Sequence, residues 1–480
     1  MQKKFAGSLA LLLFLNFLIK PIWIFGIDLT VQNRVGEAAY GLYSAILSFT
    51  LIFNIVLDVG VTHYNNRSVA TNATEVIRNF SYLTSLKLFL AVVYLVISAV
   101  AGYFLGYTST AFMLWGVLTL NQFLSSFILF LRSHLSGLQL FKTDAFMSVL
   151  DKSLMIVICG LFLLIPSFQE SFSITHFAVA QFLSYFLTSV IAFILVFKEV
   201  KIFSWRFRFS HFKDGLYKGY PYALLILLMG LYTRMDSIML EQMQGAQEAG
   251  IYAHAYRILD AVNQFGYLFS VLLLPMFAGM IGRRESATAL INTAFGLIVT
   301  LYAAVAVSVG IHAETLIKVL YNEFTQEAAS SLRLLAFSTL GFATTYIFGT
   351  WLTSLGKLKV LNTVALVGFA INFGLNIWLI PEYGAVGAAK ATMVTQILTA
   401  LVQMVYAIKY TQAHLNKTAI FGLLFLLIFG ALVYRFSAWL STEVWLVHMG
   451  ATFVIMLLAG LLFRLVRLKP VIELIKQRFK

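Results

Sequence analysis

Long apolar runs separated by short polar connections make up almost the whole chain. A helix needs about 20 apolar residues to cross a bilayer, and runs near this length recur from residue 6 to residue 463. The runs are continuously apolar rather than alternating, which favours helices that satisfy their own backbone hydrogen bonds. The pattern predicts an all-α protein with fourteen spans, at approximately 6–28, 41–59, 80–104, 111–131, 148–166, 175–197, 219–240, 251–277, 287–310, 331–353, 360–380, 386–408, 418–434 and 444–463.

Composition and charge support a multi-pass membrane protein and orient it. The 480 residues are 60% hydrophobic and 11% charged, which excludes a large soluble catalytic domain. Of the 34 Lys and Arg residues, 24 lie in the termini and connections of one face, three on the other face and seven within spans. By the positive-inside rule, both termini are cytoplasmic. The net charge of +14 is therefore largely a topological signal, and nucleic acid is not expected as a partner.

A weak internal repeat predicts two lobes. Gly41-Leu42-Tyr43 and Gly250-Ile251-Tyr252 open spans two and eight, and Leu164-Ile165-Pro166 and Leu379-Ile380-Pro381 close spans five and eleven. The offsets are similar and the topological positions match, as in transporters with parallel repeats. We therefore predict two pseudo-symmetric six-helix lobes around a central cavity, at 1–210 and 211–410. Residues 411–480 would add two further spans and a basic cytoplasmic tail.

Seven basic residues fall inside the predicted spans, where an ionised side chain costs about 2.5–3.5 kcal/mol. They outnumber the acids of the spans, which are five at most: Asp58, Asp151, Asp236, Asp260 and Asp28. An excess of buried positive charge suits an anionic solute. The basic residues are Lys20, Lys87, Lys152, Arg234, Arg257, Arg333 and Lys390.

These basic residues differ in where they lie within their spans. Lys20 precedes Pro21, a helix-kinking residue, which favours a place beside a cavity. Arg234 and Arg257 lie equally far from the turn between their spans, and Lys390 lies near the outer end of span twelve. For Lys87 and Lys152, both near cytoplasmic ends, snorkelling to the interface is an open alternative. For the whole set, the alternative is ion pairs that lock helices together.

The substrate-binding candidates are thus Lys20, Lys87, Lys152, Arg234, Arg257 and Lys390, and the ion-coupling candidates are Asp58, Asp236 and Asp260. The chain has no complete phosphate-binding loop of the ATPase type, and its histidines lack metal-ligand spacing. We therefore expect no catalytic residues, no metal and no cofactor. Coupling to protons or to sodium is left open.

Several motifs together resemble those of the bacterial oligosaccharide and polysaccharide flippases, which belong to the multidrug/oligosaccharidyl-lipid/polysaccharide exporter (MOP) superfamily. The resemblance covers roughly residues 5–410. Its motifs are Arg34 to Tyr43, Leu57-Asp58-Val59-Gly60, Asn66 to Ala70, Arg234 to Leu240 with Ala249 to Tyr252, and Ile380 to Gly387.

The resemblance implies a function that the residues alone do not name. It implies alternating access by two lobes and a substrate of undecaprenyl-pyrophosphate-linked oligosaccharide, such as an O-antigen or capsule unit. It also implies the bacterial inner membrane as the location. Glycan polymerase or export machinery is the class of protein partner it leaves open.

Three alternatives remain at this stage. The sequence distinguishes poorly between an oligosaccharide flippase and a lipid II flippase. A drug or organic-cation exporter of the same superfamily would need a cavity rich in acids, against the excess of cations. A membrane glycosyltransferase or polymerase would need a larger outer loop than residues 311–330 provide.

Overall fold

The computed structural model describes residues 2–59, 61–62, 65, 69, 75–107, 109–166, 171–200, 209–411, 425–426, 428–433, 435, 444–463 and 465. Over these residues the protein is helical and has no strand. A π-helical segment, Ile22–Asp28, follows the first helix. The helices are α1 Gln2–Pro21, α2 Leu29–Phe53, α3 Ile55–Asp58, α4 Glu75–Phe104, α5 Ser109–Gly137, α6 Phe141–Leu164, α7 Ile174–Val200, α8 Phe209–Gln244, α9 Ala246–Gly282, α10 Thr288–Ile311, α11 Ala313–Leu320, α12 Gln326–Ser354, α13 Leu358–Thr411 and α14 Trp445–Leu462.

The all-α membrane fold is confirmed. By length and composition, 11 helical stretches of the described residues could cross a membrane. Two of these stretches, Phe14–Asp58 and Leu358–Tyr410, each contain two predicted spans. Most of the predicted span 418–434 and the basic tail from residue 466 lie outside the described residues, so the count of fourteen stays a prediction.

Helix α13 is a hairpin that folds back at Gly384. This residue has φ 51° and ψ −129°, a conformation open essentially to glycine alone. A Cβ placed on Gly387 would lie 2.3 Å from the carbonyl oxygen of Leu379, and one on Gly368 would lie 2.6 Å from Cγ2 of Thr399. Contacts this close between residues so far apart in sequence require two antiparallel arms, which match the predicted spans 360–380 and 386–408.

The connection expected at 29–40, between the first two predicted spans, is largely helical and contains one break. The π segment begins after Pro21, α2 follows it directly, and the only break within α2 is at Gly36, with φ 80° and ψ 168°. The helix continues past the end of the apolar run at residue 28 and breaks at Gly36. The hydroxyl of Thr30 donates to the carbonyl oxygen of Gly26 at 2.6 Å, before this break. The hydroxyl of Tyr40 lies 3.1 Å from the carboxylate of Asp28, a contact that a straight helix could not make, so the chain folds back at Gly36.

The chain divides into two compact units, Met1–Gly250 and Ile251–Lys480. The division falls within α9, whereas the sequence placed the lobe boundary at 210–211. In the first unit, α1 packs on α6, α5 on α7, and α2 on α8. In the second, α12 packs on both α10 and α13, and α14 packs on α10.

Small residues bring α14 close to α10, as is common between membrane helices. A Cβ on Gly460 would lie 2.2 Å from Cγ2 of Thr300, and one on Gly296 would lie 1.9 Å from the carbonyl oxygen of Leu465. The last described helix is therefore an integral part of the second unit.

Candidate functional site

Helices α1 and α6 run side by side in the same direction and share a polar seam. Near the N-terminal end of the seam, the amide nitrogen of Asn16 donates to the hydroxyl of Ser148 at 3.0 Å. Near its other end, a Cβ on Gly160 would lie 4.0 Å from Ile27. Lys20 is one helical turn beyond Asn16, and it interacts electrostatically with Asp151 and Lys152.

Lys152 is held by partners on three helical elements. Its Nζ donates to the hydroxyl of Tyr185 on α7 at 3.0 Å and lies 3.2 Å from the carboxylate of Asp151. The same ammonium lies 5.5 Å from the ring centroid of Trp23 in the π segment and 4.9 Å from that of Tyr185. Each ring is close enough for a cation–π interaction. The ammonium is thus fixed in position, and one of its three N–H groups has no acceptor among the described residues.

We call Lys20, Asp151, Lys152 and Tyr185 the lysine site. The side chains of Lys152 and Asp151 are 24% and 20% exposed, so the site is only partly covered by protein. With Arg132, which also interacts electrostatically with Lys20, the seam carries three cations. Asp151 and Asp144 are the acids recorded beside them. Around Lys20, the described residues thus include three cations and two carboxylates, and Asp28 adds a third carboxylate at the other end of the seam.

Lys87 is placed quite differently. Its side chain is 2% exposed, and its Nζ donates to the carboxylate of Asp58 at 2.5 Å, the carbonyl oxygen of Leu57 at 3.0 Å and the hydroxyl of Ser126 at 3.1 Å. Three acceptors use all three N–H groups of an ammonium. This geometry favours the ion-pair alternative for Lys87, with Asp58 as the partner that joins α3 to α4.

The pair of Lys87 and Asp58 belongs to a seam between α5 and the chain that precedes α4. The amide of Asn54 donates to Gln122 at 2.7 Å, and that of Asn65 donates to Ser133 at 2.7 Å. Both contacts join residues 68 apart, so the two segments run parallel. After Asp58 the backbone turns at Val59, with φ 38°, and the backbone N–H of Thr62 donates to the Asp58 carboxylate at 3.2 Å.

A buried carboxylate lies at the end of the π segment. Asp28 is fully buried, accepts from the hydroxyl of Tyr40 at 3.1 Å and from the amide nitrogen of Gln32 at 3.0 Å. Nearby, Gln181 donates to the hydroxyl of Tyr43 at 2.7 Å. In the sequence analysis, Asp28 was one of the five acids of the spans, but it was not among the predicted ion-coupling residues.

The remaining candidates lie on α8, α9 and α13. Asp236 is buried, and Arg234, Arg257 and Asp260 are half-buried. Each of these four makes at least one polar, ionic or aromatic-ring contact within the protein. Arg234 belongs to the first unit and Arg257 to the second, so each is described within its own unit only.

Two cations of the second unit sit near helix ends. The ammonium of Lys390 lies 3.6 Å from the ring centroid of Tyr383, across the turn of the α13 hairpin. Arg333 donates from Nε to the carbonyl oxygen of Gly310 at 3.3 Å and so ties α12 to α10. Among the described residues, no group of three His, Cys, Asp or Glu side chains could hold a metal ion.

Sequence reasoning missed Arg132 and Asp144. Both were assigned to a connection, because the predicted spans ended at 131 and began again at 148. The helices extend further, to Gly137 and from Phe141, and Nε of Arg132 donates to Asp144 at 2.7 Å. The two residues are equally far from the turn at 138. The same distance argument that was applied to Arg234 and Arg257 would have paired them.

Solved structures of a lipid II flippase and of MOP-superfamily transporters have the same fold as this chain. The lipid II flippase MurJ, in an inward closed conformation, matches with a TM-score of 0.67 and 15% identity, over 95% of this chain and 98% of that chain. A MOP superfamily transporter from Pyrococcus furiosus matches with a TM-score of 0.60 and 16% identity, over 84% and 94%.

The chain belongs to the polysaccharide biosynthesis protein family, whose sequence profile matches residues 6–281. The family resemblance drawn from the motifs is thereby confirmed. Among curated relatives, the uncharacterized membrane protein MJ1375 of Methanocaldococcus jannaschii is 24% identical over 390 residues, which cover 79% of this chain and 92% of that protein.

Proposed function

We propose that this protein is a flippase that moves undecaprenyl-pyrophosphate-linked oligosaccharide across the bacterial inner membrane by alternating access. The observation that carries the proposal is the lysine site. It holds cationic groups on apolar helices and is only partly covered by protein, and one N–H of Lys152 has no acceptor among the described residues. A pyrophosphate headgroup offers the complementary charge and several acceptor oxygens.

The electrostatic argument concerns the cost of moving a doubly phosphorylated headgroup across lipid. Unit charges 4 Å apart attract by about 4 kcal/mol at an effective dielectric constant of 20, against about 1 kcal/mol in water. A headgroup beside Lys20 and Lys152 would therefore recover part of the hydration that it loses. The cytoplasmic orientation of both termini belongs to the same proposal, as does transport without a catalytic step.

The experiment uses the purified full chain in proteoliposomes that contain undecaprenyl pyrophosphate carrying a fluorescent oligosaccharide. Headgroup translocation is followed by quenching from outside the vesicles. We expect Lys152→Met to lower the rate about tenfold or more, because a charged hydrogen bond contributes about 1.5–3 kcal/mol. Lys318→Gln, at an exposed pair with Glu314, is the matched control and should leave the rate unchanged.

Competing substrates separate the alternatives. Lipid II is a serious rival because the MurJ structure shares this fold, and an organic cation tests the exporter alternative. Preferential translocation of the oligosaccharide lipid supports the proposal, and preference for either competitor replaces it. A rate equal to that of protein-free vesicles with all three substrates would overturn it.

A further inference from the structure

A second charged pair lies on the same seam, nearer the turn between α5 and α6. Arg132 is in the last two turns of α5, and Asp144 is in the first turn of α6. Gln139, with φ 61°, forms the turn between them. The two side chains are 20% and 13% exposed, so the pair is only partly covered by protein. We call Arg132 and Asp144 the arginine site.

Most of the hydrogen-bonding capacity of Arg132 is unused within the described part of the chain. A guanidinium carries five N–H donors in a planar fork that suits bidentate binding of phosphate. Among the described residues, only the Nε–H of Arg132 has a recorded acceptor, the carboxylate of Asp144. The four N–H groups of the two Nη atoms are left, and a phosphate has the oxygens to accept from them.

The arginine site and the lysine site lie along one face of α6. Asp144, Ser148 and Asp151 are spaced by four and three residues, so they share that face. Asp144 and Asp151 are seven residues apart, which corresponds to about 10 Å along the helix axis. Asn16 fills the interval by donating to Ser148, and Arg132 interacts electrostatically with Lys20. Polar side chains therefore lie in the interval between the two sites.

We propose that the arginine site is a phosphate-binding subsite at the cytoplasmic mouth of the seam, and that Asp144 is a built-in competitor for the phosphate. The inference rests on the proposed function and adds a binding residue to it. In the empty protein, Asp144 holds the guanidinium in place. A phosphate of the headgroup then displaces the carboxylate, binds the Nη fork, and passes along the seam to the lysine site.

Competition predicts opposite effects for the two members of the pair. Arg132→Gln should weaken binding of inorganic pyrophosphate about tenfold or more, because it removes a charged hydrogen-bond donor. Asp144→Asn should tighten binding about two- to fivefold, which corresponds to the small free energy of a partly exposed ion pair. A purely structural pair would respond differently, since either change would weaken binding and lower the melting temperature together.

The measurement is pyrophosphate affinity of the full-length protein in detergent, followed by microscale thermophoresis, with the melting temperature of each variant recorded in parallel. Undecaprenyl pyrophosphate is titrated in a second arm, to distinguish a lipid headgroup from the free anion. Arg132→Lys keeps the charge without the fork and should restore binding only partly. Full affinity in Arg132→Gln, or weaker binding in Asp144→Asn, would overturn the inference.

The two proposals can fail separately. If Lys152→Met abolishes binding and transport while both arginine-site variants behave as wild type, the flippase function stands and the subsite does not exist. If no variant of either site changes binding or transport, both proposals are wrong.

Discussion

The buried pair of Lys87 and Asp58 permits a quantitative test of how charge is accommodated in this protein. Asp58→Asn would remove the negative charge beside Lys87 and leave its ammonium with neutral acceptors only, such as the carbonyl oxygen of Leu57 and the hydroxyl of Ser126. The side chain of Lys87 is 2% exposed, so solvent cannot replace the lost carboxylate. Removing one partner of a buried ion pair costs about 3–5 kcal/mol.

The structure also predicts an asymmetry. Lys87→Met should cost less than Asp58→Asn, because the carboxylate of Asp58 is 26% exposed and keeps the donors of Thr62. The double variant should recover much of the stability lost in Asp58→Asn, since no unpaired charge then remains buried. Such recovery is the expected behaviour when apolar or neutral groups replace a buried pair.

The chain contains its own reporter for this measurement. Its single cysteine, Cys159, is fully buried in the first unit. A thiol-reactive fluorophore can label it only when that unit opens, so the labelling rate follows the opening equilibrium. A loss of 3–5 kcal/mol should speed labelling of Asp58→Asn by about 10²- to 5×10³-fold.

The control is Glu199→Gln, which removes a carboxylate from an exposed position of the same unit and should leave labelling unchanged. Labelling of Asp58→Asn within threefold of wild type would refute the reasoning. A double variant no slower to label than Asp58→Asn would refute it as well.

Two further predictions concern glycines and have matched controls on the same helices. Gly384→Ala should lower the melting temperature by an amount equivalent to about 1–3 kcal/mol of backbone strain, whereas Gly374→Ala, with no atom within 4 Å of the new methyl group, should be neutral or slightly stabilising. Gly460→Ala should loosen α14 from α10 and increase its proteolysis, while Gly450→Ala, in open space on the same helix, should not. Equal effects within either pair would contradict the packing described above.

The predicted spans match the helices well where the apolar run and the helix end at the same place in the chain. The α13 hairpin is the clearest case: the gap between the predicted spans 360–380 and 386–408 contains Gly384, where the backbone reverses. Glycine, proline and a short polar interval all act locally, so a reader of the sequence can find such a turn.

The prediction failed where helical hydrogen bonds continue through polar residues. Arg132 and Asp144 ended the apolar runs, but they did not end the helices, and their pairing was therefore missed. The sequence offers Asp58 and Asp151 as possible partners of Lys87 and Lys152, but it cannot decide whether these acids are paired or solvated. Lys87 is buried in an ion pair, whereas Lys152 is partly exposed. Packing between helices that are distant in sequence decides this difference.

The π segment has a consequence for the phase of the first span. Successive residues of an α-helix are rotated by about 100° about its axis, and a π turn inserts extra residues into that progression. The segment Ile22–Asp28 therefore sets the angular offset between Lys20, which faces α6, and Asp28, which faces Tyr40. Deleting one residue there would preserve a continuous helix and its hydropathy, yet the two charges could no longer both meet their partners.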